Sequence, residues 1–329
     1  MQTTSQQGAT TGYLEDTFLA LDIGGTNVKS GLISRSGDIL SYDSFPTSEG
    51  KNPTHLIELI ADRLKILWTE AGSNHRPVAL AIGAPGWIKP REGIVVMAPN
   101  IPGWKDLPIT RLMSQALDIP AVLENDANLY ALGEWLRGAG KGANNQITLT
   151  LGTGVGGGLI LNGKLWSGSF TSAAEVGHIP IGGNKRICGC GRPGCLETVA
   201  SALGMASVAR DYLAQKGETL YKGPPEAVDS KLMLELAENG DPMSLTIFKA
   251  AGEAIGFVLA GIFNLLGLET AVIGGGGAGA FKFMEPSIKE VMGRHLVTAV
   301  IDQIHIVKGA LEGNAPLVGA AALLNSSGF

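Results

Sequence analysis

Apolar residues along Phe18–Ile33 (FLALDIGGTNVKSGLI) are broken by a Gly-Gly pair at 24–25, a pattern that predicts two strands of a β-hairpin with a further turn at Ser36-Gly37. The segment Gln146–Trp166 (QITLTLGTGVGGGLILNGKLW) repeats it: a strand, a glycine-rich turn at 152–158, a second strand and an Asn-Gly turn at 162–163. The chain therefore contains two similar halves. Between them the periodicity predicts a helix over His55–Ala71, a strand over Val78–Ile82, and a strand over Ala121–Glu124 running into a helix over Ala127–Arg137. Downstream come a helix over Leu196–Gln215, a Lys/Pro/Gly loop at 216–226, and helices at 230–239 and 242–267. A short strand, Thr270–Ile273, ends in four glycines at 274–277, and Gly313-Asn314-Ala315-Pro316 opens a final apolar helix. Strands alternating with helices indicate an α/β architecture.

At 329 residues the chain exceeds what one core usually organises, so two domains with a cleft between them are expected. Hydrophobic residues make up 45% and charged residues 17%, enough for extensive burial. The net charge is -5 and no Lys/Arg run makes a basic stripe, which argues against nucleic acid or an anionic membrane as partner and for a small molecule. The first sixteen residues are polar, lack the features of a signal peptide and read as a disordered tail, so a cytoplasmic location is expected. The most membrane-like stretch, Ala254–Leu268, is too short to span a bilayer and reads as a buried helix.

Two glycine motifs are decoys. Residues 152–157 (GTGVGG) match the dinucleotide fingerprint G-x-G-x-x-G, but that motif needs a helix directly after the glycines, whereas LILNGKLW alternates and turns. Residues 158–165 (GLILNGKL) fall one short of a P-loop and end in a leucine that cannot ligate magnesium. What remains is a pair of Gly/Thr turns, DIGGTN at 22–27 and LGTGVGGG at 151–158, able to close on a phosphate from two sides. Thr26 and Thr153 add hydroxyl donors, Asp22 is suited to organising Mg2+ through water, and Lys29 can add positive charge. The candidate phosphate-binding set is Asp22, Gly24, Gly25, Thr26, Asn27, Lys29, Thr153 and Gly154, with Gly275 and Gly276 from the third glycine turn.

Asp126, in Glu124-Asn125-Asp126-Ala127-Asn128, stands where a strand ends and a helix begins. It is placed equally to cap that helix or to take a proton from a bound hydroxyl. His178 and the C-x-C-x4-C set Cys188, Cys190 and Cys195 offer an imidazole and three thiolates, a donor set for tetrahedral Zn2+; a redox switch or buried free thiols are the alternatives.

Taken together, DIGGTN, GAPGWI (83–88), PNIPGW (99–104), ENDAN (124–128), LGTGVGGG, EVGH (175–178) and CGCGRPGCLE (188–197) resemble the ROK family of sugar kinases and sugar-responsive repressors, over about residues 18 to 325. The resemblance implies an actin/hexokinase-like (ribonuclease H-like) fold of two α/β domains, 17–125 completed by a returning helix at 314–329, and 126–313 carrying a zinc loop at 175–197. It also implies ATP and a hexose in the cleft, Asp126 as catalytic base, and Asn100, Asn125, Glu175, His178 and Glu197 on the sugar hydroxyls, with Gly86 lining the pocket. Cys188, Cys190, Cys195 and His178 become zinc ligands, His178 binding metal through one nitrogen and sugar through the other. Family repressors carry a helix-turn-helix ahead of the first glycine motif, for which about twenty residues leave no room, so a kinase is expected rather than a sugar-binding regulator without turnover. An actin-like ATPase that needs no sugar is the other alternative. Glucose, phosphorylated at its 6-hydroxyl, is the expected substrate, ahead of N-acetylglucosamine, N-acetylmannosamine, mannose and fructose, in a homodimer or homotetramer.

Overall fold

The computed structural model describes residues 14–297 and 301–329. The first half builds β1 (Glu15–Ile23), β2 (Asn27–Ser34), β3 (Ile39–Pro46), α1 (Pro53–Glu70) and β4 (His75–Ala84). A small antiparallel sheet of β5 (Trp87–Lys89), β6 (Ile94–Met97) and β7 (Lys105–Leu107) follows, then α2 (Ile109–Leu117), β8 (Ala121–Asn125) and α3 (Asp126–Leu136). The second half builds β9 (Gln146–Leu151), β10 (Val155–Leu161), β11 (Lys164–Leu165), α4 (Glu197–Ala200), α5 (Ala202–Ala214), α6 (Ser230–Glu238), α7 (Pro242–Leu266), β12 (Thr270–Gly274), α8 (Phe281–His295), β13 (His305–Lys308) and α9 (Ala315–Ser326).

The two main sheets are built alike. The first has the order β3-β2-β1-β4-β8 and the second β11-β10-β9-β12-β13. In each, an antiparallel hairpin supplies the centre, and two parallel strands extend it on one side. Ligands in such sheets sit at the carboxyl ends of the parallel strands, and in both halves the glycine turns occupy that end.

Each sheet has its own core. Leu19, Leu21, Leu80 and Ile82 pack under α1 and α2, while Ile147, Leu149, Ala271 and Ile273 pack under α7 and α8. The opposite face of the first sheet, with Phe18, Ala20, Ile33, Ala79 and Ala81, is closed by Leu317, Ala320, Ala321 and Leu324 of α9. A buried leucine contributes about 1.5–3 kcal/mol, so this one helix is a substantial part of the first sheet's stability. Helices α3 and α9 cross where Gly319 lies against the backbone of Leu129 and Gly133 against that of Ala315, leaving no space for a Cβ at either glycine.

Helix boundaries follow from local chemistry. Asn52 accepts from His55 N (2.9 Å) to start α1, with Pro53 at its first position. Asp241 accepts from Ser244 N (2.8 Å) to start α7, and Gly267, at φ +61°, ends it.

Several expectations change. Glu15 and Asp16, assigned to the polar tail, are strand residues paired with His75 and Arg76, and Arg76 donates to Asp16 at 2.7 Å; residues 1–13 of that tail lie outside the described residues. The helix expected over 196–215 is two, because Ser201 turns extended and caps α5 through Gly204 N (2.9 Å). Helix α8, the edge strand β3 and the three-stranded sheet were not anticipated. Helix α7 has 25 residues, long and apolar enough to cross a membrane by composition, yet half of its most apolar window is buried against the second sheet's core.

Candidate active site

A cleft of ≈ 1720 Å³ opens where the glycine turns of the two sheets face each other. Ordinary ligand pockets occupy about 300–1,000 Å³, so this one has room for two substrates side by side. Of the residues singled out from sequence, the structure brings all to the cleft lining except Cys195, which is buried directly behind it.

At the junction of the sheets, β8 hands over to α3. Asn125, not Asp126, caps the helix: its Oδ1 accepts from Ala127 N (3.0 Å) and Asn128 N (3.2 Å). The capping alternative for Asp126 therefore falls away. Asp126 is the first residue of the helix, with Oδ1 accepting from Ala127 N (2.9 Å), which leaves its second carboxylate oxygen for the cleft. Burial pushes its acidity toward the neutral form, the adjacent amides oppose that, and the charge of Glu175 adds to it. Beneath it, Glu124 accepts from Asn125 N (2.8 Å) and Asn128 Nδ2 (2.9 Å), and burial raises its pKa also.

Asp22, at the end of β1, has its pKa raised to about 7 by burial and by the negative charge of Asp126, with Lys29 opposing. A buried carboxylate whose ionisation a neighbouring carboxylate disfavours fits a divalent cation, which would remove that conflict. The oxygen donor and the room around it suit water-mediated Mg2+. Lys29 is across the hairpin from Asp22, but its Nζ donates to Gly313 O (2.8 Å) and so ties the first sheet to the loop before α9.

The first glycine turn is closed by Gly24 N donating to Asn27 O (2.9 Å), and Thr47 braces it through Gly24 O (2.7 Å) and Thr26 O (2.8 Å). Gly25 packs so closely on Asn100 that a Cβ there would come within 2.8 Å of it. Gly86 sits at φ +87° against Met97 O, a conformation and a contact that no other residue accommodates. The second turn is a hairpin between β9 and β10, so the dinucleotide reading is excluded by the absence of a helix there.

The thiols and imidazole converge. The ligand atoms of His178, Cys188, Cys190 and Cys195 all lie within 4.8 Å of one another. Cys190 Sγ to Cys195 Sγ is 3.7 Å, and Cys188 Sγ to His178 Nδ1 is 3.6 Å. A tetrahedral zinc with ordinary Zn–S and Zn–N bonds gives edges of about 3.8 and 3.6 Å, so the set fits Zn2+. Burial pushes the Cys188 thiol up to about 12. His178 faces this cluster through Nδ1, leaving Nε2. Glu197 links the cluster to the second glycine turn: Oε2 accepts from Val155 N (3.0 Å), and Oε1 lies 3.3 Å from Cys188 Sγ.

Tyr130, Glu134, Lys308 and Glu312, which sequence reasoning passed over, belong to the region behind the third glycine turn. Tyr130, Lys308 and Glu312 line the cleft, and Glu134 is buried beneath it. The signal that could have found Tyr130 and Glu134 is their spacing of four and eight from Asp126, which sets them on its face of α3.

Comparison with known proteins agrees with this geometry. The model of the ROK family matches residues 18–327. A glucokinase of Halalkalibacterium halodurans is 34% identical over 93% of this chain and 94% of its own length. A glucokinase of Thermotoga maritima is 32% identical over 93% and 96%. The crystal structure of a ROK family glucokinase from Streptomyces griseus in complex with glucose and AMPPNP superposes with a TM-score of 0.77, at 32% identity, covering 93% of this chain and 98% of that one. The fold is the α/β, hexokinase-like architecture expected from the sequence.

Proposed function

The chain belongs to the ROK family and is a sugar phosphotransferase, and from that premise we propose that it is an ATP-dependent glucokinase acting on the 6-hydroxyl of glucose. The observation that carries the reading is the meeting of Asp126 and Asp22, at the ends of β8 and β1, in a cleft that both glycine hairpins enter. Glucose as substrate is supported by the glucokinases above and by the bound glucose of the Streptomyces griseus enzyme.

In this mechanism Asn100, Asn125, Glu175 and Glu197, with His178 through Nε2, fix the sugar hydroxyls, and Gly86 leaves room for the ring. Asn125 contributes its amide N–H, because its oxygen is spent on α3. Asp126 orients the 6-hydroxyl and takes its proton as the new oxygen–phosphorus bond forms and the bond to the β-phosphate oxygen breaks, releasing ADP. The turns at Gly24–Asn27 and Thr153–Gly154, with Gly275 and Gly276, hold the triphosphate in line by backbone amides and the hydroxyls of Thr26 and Thr153. Asp22 would hold Mg2+ through water, and that ion would neutralise phosphate charge. Cys188, Cys190, Cys195 and His178 would hold Zn2+, which would order the 175–197 loop under the sugar. Cytoplasmic location and assembly as a homodimer or homotetramer belong to the same proposal; light scattering after gel filtration measures the latter.

An ADP-coupled assay across glucose, N-acetylglucosamine, N-acetylmannosamine, mannose and fructose tests the substrate. Glucose is expected to give the highest kcat/KM, and a higher value for any other sugar replaces it. Asp126→Ala is expected to lower kcat by at least ~10²-fold with little change in fold, and near-normal turnover would remove Asp126 from the mechanism.

A further inference from the structure

Helix α3 begins with Asp126, and Tyr130 and Glu134 repeat along the same face over about 12 Å of rise. Both are buried, Glu134 completely, and both direct their polar atoms at loops that follow parallel strands of the second sheet. Tyr130 Oη accepts from Gly275 N (3.2 Å), in the turn after β12. Glu134 Oε1 accepts from Leu311 N (2.9 Å) and Oε2 from Ala310 N (3.0 Å), in the loop after β13, while Oε2 also accepts from Ala139 N (2.8 Å). Gly309 fits between the two side chains: a Cβ there would lie 3.0 Å from Glu134 Oε1 and 3.1 Å from Tyr130 Oη.

The held loop is under strain. Glu312 has φ +49°, a left-handed conformation that a residue with a Cβ rarely adopts. It is fixed from both sides, by the carboxylate of Glu134 on Leu311 N and by Lys29 Nζ on Gly313 O (2.8 Å). Gly275, Gly309 and Glu312 all line the cleft. A buried carboxylate spending both oxygens on backbone amides does more than end a helix; it sets the position of a cleft wall.

We infer that Tyr130 and Glu134 are positioning residues for the nucleotide, fastening the two loops that wall its site to the helix that carries Asp126. The inference rests on the kinase reading for the identity of the nucleotide. It makes a specific demand: loss of either anchor weakens nucleotide binding and spares the sugar, whose contacts lie at the opposite end of the helix.

Calorimetric titration of the full-length protein with Mg-ADP, and separately with glucose, tests this on Tyr130→Phe and Glu134→Gln. Tyr130→Phe keeps the ring and loses one neutral hydrogen bond, so ADP affinity is expected to fall about 3- to 10-fold. Glu134→Gln turns an amide donor toward backbone donors and is expected to cost about 10- to 100-fold. Glucose affinity stays within about twofold in both, the range in which no hydrogen bond is lost. Unchanged ADP affinity in Tyr130→Phe, or ADP and glucose affinities falling together, overturns the inference, and Tyr130→Phe decides alone where Glu134→Gln does not fold. Wild-type protein that binds ADP and glucose but releases no ADP from ATP would sink the kinase reading while leaving these ratios readable.

Discussion

The two halves share a strand order but not a chemistry. Asp22 at the end of β1 pairs in register with Gly83 of β4, and Thr150 near the end of β9 pairs with Gly274 of β12, so a carboxylate in one half stands where a hydroxyl stands in the other. Next along the first sheet comes β8 with Glu124 and Asn125, leading into Asp126 of α3; next along the second comes β13 with Lys308. The first sheet thus carries the acids to which the proposed mechanism gives a proton and a cation, and the second offers glycine amides, hydroxyls and a lysine suited to an anion. Their turns are also braced differently. Thr47, just after β3, and backbone close the first turn from its own half, whereas Glu197 and Ala202 N, donating to Gly152 O at 2.9 Å, hold the second from the Cys/His loop and the helix after it. A repeated scaffold has been divided into a chemical half and a holding half.

Metal removal should break this comparison most sharply. Chelation under reducing conditions is expected to lower activity by about 10- to 100-fold and to expose amides of 146–160 and 175–200 to hydrogen exchange, while 18–34 stays protected. Equal loss of protection in both halves would show that the second turn does not depend on the loop. A smaller effect sharpens the electrostatic side. Because Asp22 has its folded pKa raised to about 7, the folded state binds more protons than the unfolded one between about pH 4 and 7, and stability falls as pH rises through that window. Asp22→Asn is therefore expected to melt higher than the unliganded wild type at pH 8, with the gap closing toward pH 4. A constant gap across that range would place the effect elsewhere. The smallest effect is expected from Thr47→Val, which removes the hydroxyl bond to Gly24 O and should destabilise the protein by about 1 kcal/mol in denaturant titration. Exchange at 146–160 should not change in that variant.

Much of this was legible in the sequence because glycine turns between alternating strands are local signals. DIGGTN and LGTGVGGG each announced a hairpin, and ENDAN announced the strand-to-helix step. What was not legible depended on distant partners. Asn125 and Asp126 are adjacent and both can cap, and only the backbone path shows which one does. The break at Ser201 was hidden because Leu196–Gln215 is helix-favouring on both sides, although a serine is itself a cap signal. Helix α8 contains Pro286, which breaks the pattern in the reading but not in the fold. Strands of three or four residues, such as β5 and β6, are too short for periodicity to declare. The spacing of Tyr130 and Glu134 from Asp126 marked only a shared helix face; what they hold was not legible, because their partners are backbone amides of loops that converge only in the folded protein.

The closure of the first sheet by α9 also has a consequence for how the molecule is made. Phe18, Ala20, Ala79 and Ala81 belong to the part of the chain that leaves the ribosome first, yet the helix that covers them is encoded after β13, the last strand of the other sheet. Throughout synthesis the nascent first half carries an apolar face with no cover, and the contact that completes it has among the largest sequence separations in the fold. The first sheet of such a chain is completed only once α9 has been made, and until then its exposed rear is a surface liable to aggregate.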